Sequence, residues 1–309
     1  MRVGTRRAVK SLICWRPVNF LVRLCAPVLR RFMPAGHVSR IPIVGPVVVR
    51  YGLWKPTVML NDGNDSIATR IFWCGTSYYD PETVNVFLRL AENAQTILDI
   101  GANTGIYGLL AGTNFPNARI HAFEPVPAIY ERLKASVQAN ALHNISVQQS
   151  AVSDKTGRVE FYVPVDSAAF TLSASMNRDF RQQSIIVNVE CTTIDEYARK
   201  AKLDRIDLIK LDTESTEHLV LRGASGTLNN SQPLIVCEVL PDVDQSQKLA
   251  AIAPYDYLYF WIGKDALYQK NDLIGDSELQ CYNYIFIPRS KCVDVLDRLR
   301  SIIRVVTID

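Results

Sequence analysis

From residue 96 onward, apolar residues come in strand-length blocks that alternate with stretches of helical spacing. Residues 96–100 are β-branched or apolar except for Asp99, and helical spacing follows over 106–110. A second block over 119–123 ends in Glu124-Pro125, and 127–140 then places Ile129, Leu133 and Val137 on one helical face. Residues 144–149, 206–211 and 233–237 read as further core strands, with Glu238 ending the last. Between them 158–163 and 185–192 alternate as antiparallel strands, Thr193 to Glu196 starts a helix in capping-box form, and 216–228 reads as one helix. Residues 257–262 and 282–287 are the final strands, the last of them antiparallel, and 292–303 is an amphipathic helix. Strand and helix in alternation predict a parallel sheet, whose ligands sit outside the carboxyl ends of its strands.

Upstream the pattern is weaker. Residues 41–49 and 57–60 read as short strands broken by Pro and Gly, with a turn at 61–65, and Asp80-Pro81-Glu82 opens a helix to about residue 92. Residues 164–183, rich in Ser, Ala and Phe, have little periodicity and read as a lid or acceptor-contacting loop.

The turn after the first core strand, Asp99 to Gly105, carries two glycines. Glycine there admits positive φ and close approach of a ligand, while the first amides of the next helix attract polar groups. A dinucleotide fingerprint needs three glycines as G-x-G-x-x-G, and Asp99-x-Gly101-x-x-x-Gly105 does not supply them. Glu124, at the end of the second strand, is placed to accept both ribose hydroxyls of a nucleoside.

Four ordered blocks carry a family resemblance: Leu98 to Tyr107 (LDIGANTGIY), Ala122 to Pro125 (AFEP), Ser150 to Asp154 (SAVSD) and Ile209 to Glu214 (IKLDTE). Together they resemble the FkbM family of S-adenosylmethionine-dependent methyltransferases, over roughly 78–241. The resemblance implies an α/β class I methyltransferase fold: a Rossmann-like, mainly parallel seven-stranded sheet with helices on both faces. It implies S-adenosylmethionine as cofactor, held by Asp99, Gly101, Ala102, Asn103, Thr104, Gly105, Glu124, Pro125, Ala151 and Val152. It also implies methyl transfer to an acceptor, usually an oxygen; a hydroxyl of a sugar, glycolipid or secondary metabolite is the expected small-molecule or glycan partner. One departure is Ser215, which follows Glu214 where the family usually has Gly; serine takes up a strained backbone less cheaply.

An alcohol acceptor must lose a proton, which asks for a positioned base. Asp212, Glu214 and Glu238 are the catalytic candidates, because carboxylates clustered at a sheet edge raise one another's pKa or share a divalent metal. Lys210 is expected to pair with a carboxylate. His218 reads as a surface helix position, and His121 and His143 as structural. Three rival readings remain: a homologue that binds the donor without turnover, suggested by Ser215, a nicotinamide-dependent α/β oxidoreductase, and a membrane-recruitment module whose functional part is the N-terminus, on a degenerate fold.

Composition adds limits. The 309 residues, 48% of them hydrophobic, suffice for one large catalytic domain and an appendage. Seven scattered cysteines without C-x-x-C spacing argue for a reducing, cytoplasmic setting and against a zinc site; Cys191 and Cys237 read as small core residues. Charge is divided unevenly. Residues 1–61 hold eleven Arg or Lys and no Asp or Glu, which leaves the rest of the chain at −8 against an overall +3. We therefore expect a basic amphipathic segment over 1–40, a small cap over 41–75 and the methyltransferase domain over 76–309.

Within the basic segment Val18, Leu21, Val22, Cys25, Leu29 and Phe32 recur at helical spacing, with Arg16, Arg23 and Arg30 on the other side, Pro17 near the start and a kink at Pro27. Three readings compete: residues 1–35 lie peripherally on an anionic membrane, dock on the domain with the arginines in water, or form a cleaved transit peptide. No uncharged apolar run approaches the ~18 residues of a transmembrane span. An acidic remainder without a reading motif predicts no nucleic-acid partner.

Overall fold

The computed structural model describes residues 3–164, 175–176, 184–241, 245–278 and 280–308; most of the loop expected over 164–183 lies outside them. The basic segment forms α1 (Val3–Cys14) and α2 (Arg16–Phe32), followed by a short α3 (Ala35–Val38). The ribbon β1 (Val44–Val49) and β2 (Thr57–Asp62) leads to α4 (Ser66–Cys74) and α5 (Pro81–Ala91). Strand and helix then alternate as expected: β3 (Thr96–Ile100), α6 (Ile106–Asn114), β4 (Arg119–Phe123), α7 (Pro127–Ala139) and β5 (Ile145–Gln148). A separate sheet holds β6 (Ala151–Val152), β7 (Gly157–Pro164) and β8 (Ser184–Thr192). Alternation resumes with α8 (Ile194–Lys200), β9 (Leu208–Leu211), α9 (Glu217–Arg222), α10 (Ser225–Asn230), β10 (Leu234–Glu238) and α11 (Ser246–Ile252). Last come β11 (Tyr257–Ile262), β12 (Ala266–Lys270), β13 (Asn283–Pro288), α12 (Cys292–Leu299) and β14 (Arg304–Val306).

The main sheet runs β14-β12-β11-β13-β10-β9-β3-β4-β5. Strands β5, β4, β3, β9 and β10 pair in parallel, and β13 is antiparallel to both neighbours, β10 and β11. Among the described residues the main sheet has nine strands where seven were expected: β12 pairs antiparallel with β11, and β14 extends that edge. Both faces of β3 are covered, which is why its side chains divide between two cores. Ile97 joins the cluster formed with α5, α6 and α12, whereas Leu98 and Ile100 join the one formed with α8, α9 and α10.

Two other elements differ from their sequence expectation. The helix expected over 216–228 is broken at Gly223, where a Cβ would lie 2.1 Å from the Ser153 carbonyl oxygen, so close packing of two backbones forbids a side chain. Within the region read as two strands and a turn, α4 starts on Asp65, whose carboxylate accepts the Ala68 amide at 2.9 Å. The ribbon preceding it is clamped to α7, because Asn140 accepts the Val58 amide at 2.8 Å and Ser136 Oγ that of Leu60 at 3.0 Å.

The N-terminal helices depart furthest. The bend falls between α1 and α2, at 75°, and α2 runs through Pro27. Arg16 is exposed, but Arg23 and Arg30 reach back to the domain. Arg23 donates to the carbonyls of Val44 and Pro46 at 3.1 and 2.5 Å, and Arg30 to that of Phe72; both guanidinium groups sit 4.9 Å from the Phe72 ring centroid. Buried Asn19 completes the joint, bonding Pro42 and Val44 at 2.9 and 2.8 Å. Among the described residues no single helix is long and apolar enough to cross a membrane, although α1 and α2 together pass by length and composition.

Candidate active site

A cavity of about 1120 Å³ opens at the carboxyl ends of β3, β4, β9 and β10. Its first wall is the turn after β3. Gly101 has φ 76° and a Cβ there would lie 1.7 Å from the Asp212 carbonyl oxygen, so glycine is what lets the ends of β3 and β9 meet. Asn103 is also left-handed, at φ 48°. Its Oδ1, and the Oγ1 of Thr104, are buried without a hydrogen-bond partner. Two such atoms beside an open cavity call for a polar ligand, since an unpaired buried polar group costs about 1–3 kcal/mol.

Glu124 and Asp99 lie behind this turn, both almost fully buried. Glu124 accepts the Asn103 amide at 3.0 Å and the Val126 amide at 2.8 Å, fixing the turn and the start of α7. Burial raises its carboxyl pKa to about 7 despite these bonds. Asp99 accepts the Gly108 amide of α6 at 2.9 Å, and burial raises it to about 6. Pro125, Ala151 and Val152 line the same wall. Gly105 is set back from the cavity; a Cβ there would meet Leu133 of α7 at 2.1 Å.

The opposite wall is carboxylate-rich. Asp212, Glu214 and Glu238 all line it, joined by Asp80. Buried Lys210 lies between them, 3.2 Å from Asp212 Oδ2 and 3.2 Å from Asn283 Oδ1, and it stacks 5.1 Å from the Tyr107 ring centroid. Asn283 Nδ2 in turn donates to Asp80 Oδ2 at 2.7 Å, which closes a polar chain from α5 to β9. Lys210 stays charged: burial opposes this, but Asp212 and Glu238 raise its pKa above the ordinary value. Glu238 has its Oε2 shielded and unpartnered, and its pKa is raised well above the carboxylate range by burial and then by Asp212 and Glu214. Among the described residues no three His, Cys, Asp or Glu side chains are arranged to hold a metal ion.

The loop between β9 and α9 is strained. Glu214 and Ser215 have φ 54° and 80°, so Ser215 adopts the left-handed backbone that favours glycine. Holding it is Glu217, whose Oε1 accepts the amides of Thr213 and Ser215 at 2.9 and 3.2 Å. Its Oε2 lies 3.1 Å from Lys248 of α11, and Lys248 also donates to the Glu238 carbonyl at 2.6 Å. Burial works against ionisation of Glu217, yet the Lys248 ammonium wins and holds its pKa below the ordinary value.

Sequence reasoning missed Glu217 and Lys248, thirty-one residues apart with nothing local to join them, and Asn283, a lone amide opening an apolar strand. It also missed Ile67 and Arg70, which line the cavity from α4. Asp80 was visible only as a helix start. The histidines stay outside the cavity, His121 bonding Tyr197 at 2.8 Å; all seven cysteines are free, with Cys191 and Cys237 buried.

The family described as the methyltransferase FkbM domain matches residues 99–262. The chain belongs to the FkbM methyltransferase family. That stretch holds both cavity walls except for α4, Tyr78 to Asp80 and the β13 side. Relatives of this FkbM chain include 2-O-methyltransferase NoeI of Sinorhizobium fredii, 28% identical over 147 residues, covering 44% of this chain and 60% of that protein. The 31-O-demethyl-FK506 methyltransferase FkbM of Streptomyces tacrolimicus is 27% identical over 155 residues, covering 41% and 58%. The hexuronic acid methyltransferase AglP of Haloferax volcanii is 22% identical over 165 residues, covering 53% and 64%. The chain thus spans about three fifths of the length of these relatives. Among solved structures, methyltransferase FkbM from Methylobacillus flagellatus aligns with a TM-score of 0.41 at 17% identity over 62% of this chain and 43% of that one. The fold assignment rests on the strand order and pairing described above.

Proposed function

We propose that the protein transfers a methyl group from S-adenosylmethionine to a hydroxyl of a sugar, glycolipid or secondary metabolite. The observation that carries this reading is the cradle after β3. Gly101, Glu124, and Asn103 and Thr104 with their buried, unpartnered Oδ1 and Oγ1 line one cavity, opposite a cluster of carboxylates. These residues fit a nucleoside donor with polar appendages: Glu124 would accept the ribose hydroxyls, and Gly101 to Thr104 would meet the amino-acid portion. Ala151 and Val152 would cover the base. When bound, the donor supplies an electrophilic methyl group, so the protein's task is to orient the acceptor and take its proton.

Glu238 is the base we favour. Its raised pKa and its shielded, unpartnered oxygen suit it to accept a proton from an alcohol, while Lys210 with Asp212 and Asn283 holds the neighbouring wall in place. Glu214 lies beside them as a further acceptor contact. The names of the relatives, which include 2-O and 31-O transfer and a hexuronic acid, support a hydroxylated acceptor. Family membership favours methyl transfer over nicotinamide chemistry.

The test is transfer of labelled methyl from S-adenosylmethionine to a panel of sugars, uronic acids and polyketide alcohols, with Glu238→Gln beside the wild type. Turnover should fall by about 10²- to 10⁴-fold in the variant with donor affinity unchanged, as loss of a general base entails. Wild-type turnover should rise with pH through a value above the usual carboxylate range. Full activity in the variant removes Glu238 from the mechanism, and absence of label from every hydroxyl in the panel overturns the acceptor class.

A further inference from the structure

Helix α2 docks on the core by one face and leaves a second apolar face outside. Its buried positions are Asn19 and Ala26, and Arg23 and Arg30 also reach the domain. Its outward face holds Phe20, Leu21, Leu24, Val28 and Phe32, each more than half exposed, up to 75% for Phe32. Trp15 and Leu12, both 61% exposed, continue that face around the bend into α1. An apolar stripe normally faces the core of a surface helix; here Val22, Ala26 and Leu29 do so, together with Asn19, Arg23 and Arg30, and a second apolar row is left outside. A contiguous exposed apolar face marks a binding surface.

Charge identifies the occupant. Exposed Arg16 and Arg31 flank the apolar row, and the first 61 residues contain no acid. A symmetric pairing with a second copy would set two such basic segments against each other. An anionic lipid surface complements them instead, taking the apolar side chains into its headgroup boundary and the arginines among its phosphates, with Trp15 suited to that depth. No single described helix is long and apolar enough to span, and α1 and α2 meet at a 75° bend.

We propose that the outward face of α1 and α2 docks in the plane of a membrane that contains anionic lipid. The same surface is tied to the cavity: Arg23 and Arg30 grip Phe72 of α4, and Ile67 and Arg70 of α4 line the cavity. A lipid-linked acceptor would thereby be met by an enzyme already at its surface.

The experiment is co-sedimentation of the full chain with vesicles of phosphatidylcholine alone or mixed with phosphatidylglycerol. The wild type should bind the mixed vesicles at least about tenfold more tightly than the neutral ones. The triple variant Phe20→Ser, Leu24→Ser, Val28→Ser should lose at least about tenfold in binding to the mixed vesicles while keeping the wild-type melting temperature, because the replaced side chains are exposed. The pair Arg16→Glu and Arg31→Glu, which leaves the apolar row intact, should lose a similar factor. Wild-type protein that binds neither vesicle, or variants that bind as the wild type does, would overturn the proposal. So would a wild-type dimer that the triple variant splits, since the face would then belong to a second copy.

Discussion

Glu124 and Asp99 show how single residues in this site are set by their surroundings. Both are buried acids whose folded pKa values, about 7 and about 6, lie above the ordinary 4.5 and 3.8. Between the ordinary and the raised values the folded state holds protons that the unfolded state has lost, so these groups lower stability as pH rises through that window. The ligand-free protein is therefore expected to gain on the order of 2–3 kcal/mol from each as pH falls from 7 toward 4.5. Urea denaturation across that range checks it, and a flat or opposite slope contradicts it. Glu124 was legible in the sequence because an acid at the end of a second strand has a known geometric consequence. Ser215 was legible only as a departure: its φ of 80° meets the same backbone requirement as glycine at a strain of about 1–3 kcal/mol.

Among elements, the parallel strands and their helices were readable because apolar period and turn chemistry agree there. Thr193 is an example, its hydroxyl accepting the Glu196 amide at 3.0 Å as the capping pattern implies. What could not be read is contact between distant elements. The break between α9 and α10 depends on the Ser153 carbonyl, seventy residues away from Gly223, and the cavity's floor depends on α11 reaching α9. That second contact is testable. Lys248→Met leaves Glu217 buried without its cation and is expected to cost about 3–5 kcal/mol, measured by denaturation at pH 7. Because the folded Glu217 pKa lies below 4.5, the pair's contribution is present above that pH and is lost as pH falls through the lowered value, so the gap between variant and wild type should narrow in acid. A loss below about 1 kcal/mol would mean that the loop over 213–215 is held by other contacts.

For the whole molecule, the strand order carries the fold, and β12 and the edge strand β14 were missed because short strands near a sheet margin have little apolar period to reveal them. The N-terminus was legible as amphipathic and basic, but which face docks was not: hydrophobic spacing cannot show that Asn19, Arg23 and Arg30 find backbone carbonyls to bond. The central claim is that the cavity at the ends of β3 and β4 holds S-adenosylmethionine through Glu124 and the glycine turn. Calorimetric titration of the wild type and of Glu124→Gln with S-adenosylmethionine and S-adenosylhomocysteine tests it most directly. We expect one site of micromolar affinity for both ligands, weakened about tenfold to a hundredfold in the variant, since an amide cannot accept both backbone amides and the ribose hydroxyls. A folded wild-type protein that binds neither ligand would contradict the account.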